Sequence, residues 1–287
     1  KTPSIHAAWM LDISEMHWKE RKLRNLRLLG KYTNGEKTSP ETTLISVEKF
    51  SFRDYNSDLT GKLNIENLKR PYVDMDLKGK ADLTFLDDFI PGDQLQNFKG
   101  KLISDLTLRT RFNSFKGLRA EDFFAGGIAG SIELEEVRFD VDPDLEIRDL
   151  RGKVDFSGNS WYPDTEFYLN GEKTSLSVRL ENVSRYLFSD YYPLMLSGRI
   201  VSDGLVLTPL FSSGKKKEEK GRKGIFPERV RANLQMESDY LEAKNFYATD
   251  VSTRLSYHPG FLGLEDIRLQ TSEGRLEGKA AMIAQPG

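Results

Sequence analysis

The chain has 287 residues, of which 38% are hydrophobic and 30% charged, and its 42 basic and 44 acidic side chains leave a net charge of -2. That composition folds but is lean for a thick two-sided core, which favours sheets with one wet face, and the charge balance supplies no bulk attraction to nucleic acid. Cysteine is absent, excluding disulfides, thiol catalysis and cysteine-based metal sites, and no apolar run reaches the roughly 18 residues a membrane-spanning helix needs.

The chain opens in mid-pattern at Lys1-Thr-Pro-Ser-Ile5 with no signal peptide, so it is read as an excerpt of a longer protein. Ser14 to Leu29 predicts a helix capped by Ser14 and stopped by Gly30, yet its end, from Leu26 to Tyr32, alternates as a strand would. Helix and strand therefore both stay open for residues 1–44. Asn34-Gly35 predicts a hairpin turn, and the same hexapeptide, Asn-Gly-Glu-Lys-Thr-Ser, recurs from Asn170, which implies one turn used twice. Gly30, Gly35 and Lys37 superficially resemble a phosphate loop, but the lysine is one place too far on and a strand-like segment follows instead of a helix.

From residue 45 onward strands dominate. Val73-Asp-Met75-Asp-Leu77-Lys-Gly79-Lys-Ala81-Asp-Leu83-Thr-Phe85 alternates without a break, putting its odd positions on one face and Asp74, Asp76, Lys78, Lys80 and Asp82 in water. Leu83 to Ile90 also carries a short helical signal ended by Pro91-Gly92. The alternation returns at Leu106 to Phe112, Val154 to Phe156, Leu176 to Leu180, Val230 to Met236 and Ile267 to Thr271. One apolar and one wet face is the habit of antiparallel sheets. Between Ile132 and Val141 the apolar positions change from even to odd, which predicts a β-bulge at Glu135-Glu136.

Glycine stands directly before a basic residue, inside or beside an alternating stretch, at Gly30, Gly61, Gly79, Gly100, Gly152, Gly198 and Gly278. Gly61, Gly79 and Gly100 are 18 and 21 residues apart, about one hairpin per interval, which marks a degenerate β repeat. Ser212 to Gly224 contains no apolar residue and reads as a charged, solvated linker. The organisation that follows is an N-terminal segment (1–44), a repeated β region (45–211), a linker (212–225) and a C-terminal β region (226–287).

Catalytic and metal motifs are weak. His6, His17 and His258 have no metal-ligand spacing. Asp140-Val-Asp142-Pro-Asp144 starts like a calcium loop, but the sixth and twelfth positions hold Leu145 and Arg151 instead of glycine and glutamate. Asp87-Asp88, adjacent in sequence, provide no convergent acid/base geometry, and the lysines from Lys215 to Lys223 are interrupted by two glutamates. No catalysis, cofactor or metal is expected. What remains is the apolar face. It either packs on a second sheet, as in a β-sandwich, or stays open to hydrocarbon at about 0.8 kcal/mol per CH₂.

The strand grammar resembles the AsmA-like proteins of Gram-negative bacteria, particularly the Bacteroidetes type. The carrying residues are Val73 to Phe85, Phe98-Lys-Gly-Lys-Leu102, Leu150-Arg-Gly-Lys-Val154 and Leu196-Ser-Gly-Arg-Ile200. After the linker they are Phe226-Pro227, the strand from Val230, Phe261 to Ile267 and Thr271 to Ala280. The likeness covers roughly residues 45 to 287 and is diffuse; residues 1–44 match it poorly. It implies a long curved sheet with a hydrophobic trough, similar to bridge-like lipid-transfer proteins. It also implies a periplasmic location, an inner-membrane anchor helix outside this excerpt, and a part in phospholipid transport and outer-membrane maintenance.

The expected fold is therefore mainly β: a long curved antiparallel sheet of repeated hairpins with few short helices. About a dozen strands would give a groove on the order of 55–60 Å. Its expected lining is Val73, Met75, Leu77, Leu83, Phe85, Leu106, Leu108, Phe112, Val154, Phe156, Val178, Leu180, Leu234 and Met236, with phospholipid acyl chains as partners. The alternative is a periplasmic or secreted β-sandwich with a dry core that binds protein or glycan through its loops.

Overall fold

The structure is a computed structural model that describes residues 3–18, 21–54, 56–84, 96–114, 127–142, 145–188, 191–206, 229–243 and 246–283. Its strands are β1 (His6–Trp18), β2 (Arg21–Thr33), β3 (Leu44–Asp54), β4 (Ser57–Glu66), β5 (Tyr72–Asp82), β6 (Gln96–Arg111), β7 (Gly127–Asp142) and β8 (Leu145–Ser157). They continue as β9 (Ser160–Leu169), β10 (Glu172–Glu181), β11 (Leu194–Val206), β12 (Val230–Ala243), β13 (Phe246–His258), β14 (Phe261–Thr271) and β15 (Gly274–Ile283). A 3-10 turn at Pro40–Thr42 and a six-residue helix, α1 (Val183–Phe188), interrupt them.

All fifteen strands belong to one sheet, and their order in it is their order in the chain. The sheet is open, with β1 and β15 at the two ends of that order. Antiparallel pairs run from β1 to β6, from β9 to β11 and from β12 to β15. The expectation of a purely antiparallel sheet fails where β11 and β12 pair parallel, Gly198 opposite Leu234. Parallel neighbours need a crossover of roughly a dozen residues or more. The charged linker provides that length between them; it lies outside the described residues.

Two compact units divide the chain. In the first, comprising residues 1–89, 99–135 and 154–159, Val47, Val73, Ala81, Leu83, Leu108 and Phe112 are buried. Pro71 is fully buried there, and its carbonyl accepts the Phe112 N–H at 2.7 Å. In the second, Ala248, Val251 and Leu269 form a small core against which Leu241 and Ile267 pack.

The helix expected from Ser14 to Leu29 is not formed. The described residues of that stretch, 14–18 and 21–29, belong to β1 and β2, which pair antiparallel with Leu11 opposite Leu28 and Ile13 opposite Leu26. The period-two run ending at Tyr32 outweighs the cap signal at Ser14, because the neighbouring strand offers every second side chain a partner.

The repeated hexapeptide adopts two conformations. At Asn170 (φ +51) and Gly171 (φ +97) both central residues are left-handed, the requirement of a type I′ hairpin, and β9 passes directly into β10. At the first copy only Gly35 (φ +70) and Thr38 (φ +51) are left-handed, so the hairpin expected at Asn34-Gly35 is replaced by a wider loop. The cause lies outside the six residues. Asn34 Oδ1 accepts the Ile5 N–H at 2.7 Å, and Pro40, which cannot donate to a ladder, starts the 3-10 turn where Leu176 continues a strand in the second copy.

The strand expected to run through Leu83 stops at Asp82. The Asp82 carboxylate accepts the Thr84 N–H at 2.9 Å and its hydroxyl at 2.7 Å, a local turn that competes with the ladder. Leu83 and Thr84 are in a 3-10 turn; Phe85 and the rest of the helical signal to Ile90 lie outside the described residues. The irregularity expected at Glu135-Glu136 falls on Glu136, which is left-handed at φ +52 within β7. Half-buried Leu134 precedes it and buried Val137 follows, so the change of phase keeps both inward.

Candidate functional site

In the first unit the pairing registers place apolar side chains in rows across the strands. Ile45, Ile65 and Val73 stand opposite one another in turn on β3, β4 and β5. The next row is Val47, Leu63, Met75 and Leu108, reaching β6. Phe50, Gly61, Leu77 and Leu106 form a third. Leu26, Leu28 and Tyr32 of β2 extend the rows through Phe52, Phe50 and Ile45. Side chains alternate faces with period two, so these rows make one continuous apolar surface.

The second unit repeats the arrangement. Leu180, Leu196, Ala232, Tyr257 and Leu262 follow one another across β10 to β14. Val178, Gly198, Leu234, Leu255 and Leu264 form the neighbouring row, and Leu176, Ile200 and Met236 the next.

Within these units Val73, Leu83, Leu108, Phe112, Val178 and Leu234 are buried, while Met75, Leu77, Leu106, Val154, Phe156, Leu180 and Met236 are half-buried. Met75 and Leu77 of β5 are thus brought against Leu108 and Leu106 of β6, and Val178 and Leu234 flank Gly198. Val154 and Phe156 alternate on β8 with exposed Lys153, Asp155 and Ser157. The expected lining omitted Ile45, Val47, Phe50, Leu63, Ile65, Leu196 and Ile200, all of which occupy the same rows. Their signal was the same alternation, over shorter or more irregular runs.

The glycine–basic repeat has a structural meaning. All seven basic residues that follow these glycines are exposed. Gly79 shows why glycine is required: its φ is +131, and a Cβ there would lie 2.0 Å from the Asp58 carbonyl oxygen. The neighbouring strand approaches too closely for any side chain.

The opposite face is charged and cross-linked. Asp74 and Arg109, direct partners in the ladder, are 3.2 Å apart, and Lys78 reaches Asp105 at 2.8 Å. Asp12 pairs with Arg27 at 2.6 Å and Arg53 with Asp58 at 3.0 Å. The hydrogen bond to Asp105 pushes the Lys78 ammonium up, and the one from Arg199 holds the Glu237 carboxyl down. Burial pushes the Asp82 carboxyl up, but hydrogen bonds from Thr84 and Asn56 outweigh it and hold it below the usual range.

Buried hydroxyls were missed by sequence reasoning. Thr174, Ser202 and Ser238 are in register on β10, β11 and β12. Ser202 Oγ donates to the Gly204 carbonyl at 2.8 Å and Ser238 Oγ to the Tyr240 carbonyl at 2.6 Å, so backbone takes up their donors. Nearby, the hydrogen bond from the Tyr240 hydroxyl to the Glu172 carboxylate, with burial, pushes the phenol up to about 12.

Among the described residues no group of three histidine, aspartate or glutamate side chains is placed to hold a metal ion. Chemically, the rows offer non-directional burial of hydrocarbon, backed by a polar, ion-paired reverse side. No family model matches the chain, and neither a curated protein nor a solved structure is significantly similar to it. The open β-sheet is consistent with a groove-forming structural protein.

Proposed function

We propose that this chain is an AsmA-like lipid conduit of the Gram-negative periplasm. Its apolar rows hold phospholipid acyl chains in a curved groove, and the protein is held to the inner membrane by a helix outside this sequence. It contributes to outer-membrane biogenesis and maintenance and does so without catalysis. The observation that carries this reading is the unbroken row Val47, Leu63, Met75 and Leu108, with Met75 only half-buried. A chain of ~16 carbons laid on such a surface gains on the order of 12 kcal/mol without any specific polar contact. The β-sandwich alternative needs a second layer, whereas every described strand belongs to a single sheet.

The test is mass spectrometry of the protein purified without detergent from a Gram-negative host. Phospholipid should co-purify in stoichiometric or greater amount. Protein that is lipid-free under these conditions, and that takes up none from vesicles, would overturn the reading.

A further inference from the structure

Where two strands join through a tight turn, the turn fixes their register. β11 and β12 pair parallel and are joined by residues 207–228, so no tight turn sets theirs. Alternation does not set it either. A shift of one residue would exchange the two faces, but a shift of two returns every side chain to its own face. With β12 moved so that Arg231 stands opposite Ser197, Leu196 would meet Val230 and Ile200 would meet Leu234, and the rows would stay apolar.

The opposite shift, which sets Ser197 against Gln235, is resisted by Tyr240. Its ring lies over Gly204, where a Cβ would come within 2.3 Å of it, and that shift would carry it onto the buried side chain of Ser202. Tyr240 offers no such resistance to the first shift. The ion pair of Arg199 with Glu237 would be lost in it, but a pair at the surface contributes little.

Arg229, directly before β12, meets that need. Its carbonyl accepts the Leu194 N–H at 2.8 Å, and one guanidinium nitrogen donates to the carbonyls of Tyr186 at 2.6 Å and Tyr192 at 3.2 Å. The same guanidinium lies 4.7 Å from the centre of the Tyr186 ring. Tyr186 belongs to α1 and Tyr192 precedes β11, so every one of these partners lies in the chain at or before the start of β11. A shift of β12 by two residues displaces Arg229 by about 6.6 Å and breaks these hydrogen bonds, including the stronger ones from a charged donor. We propose that Arg229 is a register clamp. It selects the pairing of β11 with β12, and hence which side chains continue the apolar rows of β10 and β11 into β12. The clamp stands whether or not lipid occupies the apolar face.

The test uses the whole chain, which has no cysteine of its own, so introduced pairs report the register. Ser197, Arg231 and Asn233 are all exposed. Ser197→Cys with Asn233→Cys samples the observed register, and Ser197→Cys with Arg231→Cys samples the shifted one. With Arg229 intact, oxidation should link the first pair at least tenfold faster than the second. Arg229→Met keeps the aliphatic stem and donates nothing; it should speed linking of the second pair at least tenfold, at the expense of the first. Tyr186→Leu keeps the acceptor carbonyl but removes the ring, and should speed the second pair by a smaller factor. Equal linking of the two pairs with Arg229 intact, or no gain by the shifted pair in either variant, would overturn the proposal. So would a lowered melting temperature with the first pair still dominant, since that is the mark of a residue that stabilises without selecting.

Discussion

Asp74 and Arg109 face each other across β5 and β6, with the guanidinium 3.2 Å from the carboxylate, while the next residues along, Met75 and Leu108, meet on the opposite face. One register therefore sets both the charged ladder and the apolar row. A slip of one residue would exchange them. Because Arg109 is exposed and Asp74 only half-buried, the pair fixes register more than it stabilises. A double-mutant cycle of Asp74→Ala and Arg109→Ala, read by urea unfolding, should give a coupling of only about 0.2–1 kcal/mol. A coupling several times larger would mean the charged face carries the fold.

Gly79 should be far less tolerant than Gly278. At Gly79 an added Cβ meets the Asp58 carbonyl oxygen at 2.0 Å with φ at +131, whereas at Gly278 nothing lies within 4 Å. Gly79→Ala should cost about 1–3 kcal/mol from backbone strain, before any displacement of the adjacent strand. Gly278→Ala should be nearly neutral. Urea midpoints compare the two; equal effects would contradict the close approach of β4 to β5.

The Glu41 carboxyl is held down to about 2, chiefly by the hydrogen bond from Lys69 at 2.7 Å. A depressed carboxyl supports the fold above its unfolded value, and that support is lost as pH falls through its folded value. The Glu41 contribution should therefore be complete above about pH 4.5 and fade toward about pH 2. NMR titration of Lys69→Met should find Glu41 ionising closer to its ordinary range. An unchanged midpoint would show that the Lys69 bond is not the cause.

Much of the fold was legible because period two is a strong signal where it runs unbroken. The stretch from Val73 to Ala81 alternates without fault and is β5; Leu176 to Leu180 behaves the same way in β10. Misreadings arose where a local motif was taken without its surroundings. Ser14 looked like a helix cap, yet its segment is paired on a neighbouring strand. Asn34-Gly35 looked like its twin at Asn170-Gly171, but Ile5 on one side and Pro40 on the other make a different loop. The parallel pairing of β11 with β12 depends on a crossover whose direction no local pattern encodes. At the candidate site, alternation identified Met75, Leu106 and Leu234 directly. It missed the Thr174–Ser202–Ser238 row because serine and threonine read as wet-face residues until register puts them side by side.

The proposed function requires acyl chains to lie against the apolar rows, and photo-crosslinking reads that contact residue by residue. A photoreactive residue replacing Met75 or Leu106 should capture phospholipid in cells, while the same residue at Asp74 or Arg109, on the reverse face of the same two strands, should capture little. Equal capture from both faces, or none from Met75 and Leu106, would contradict the lipid groove.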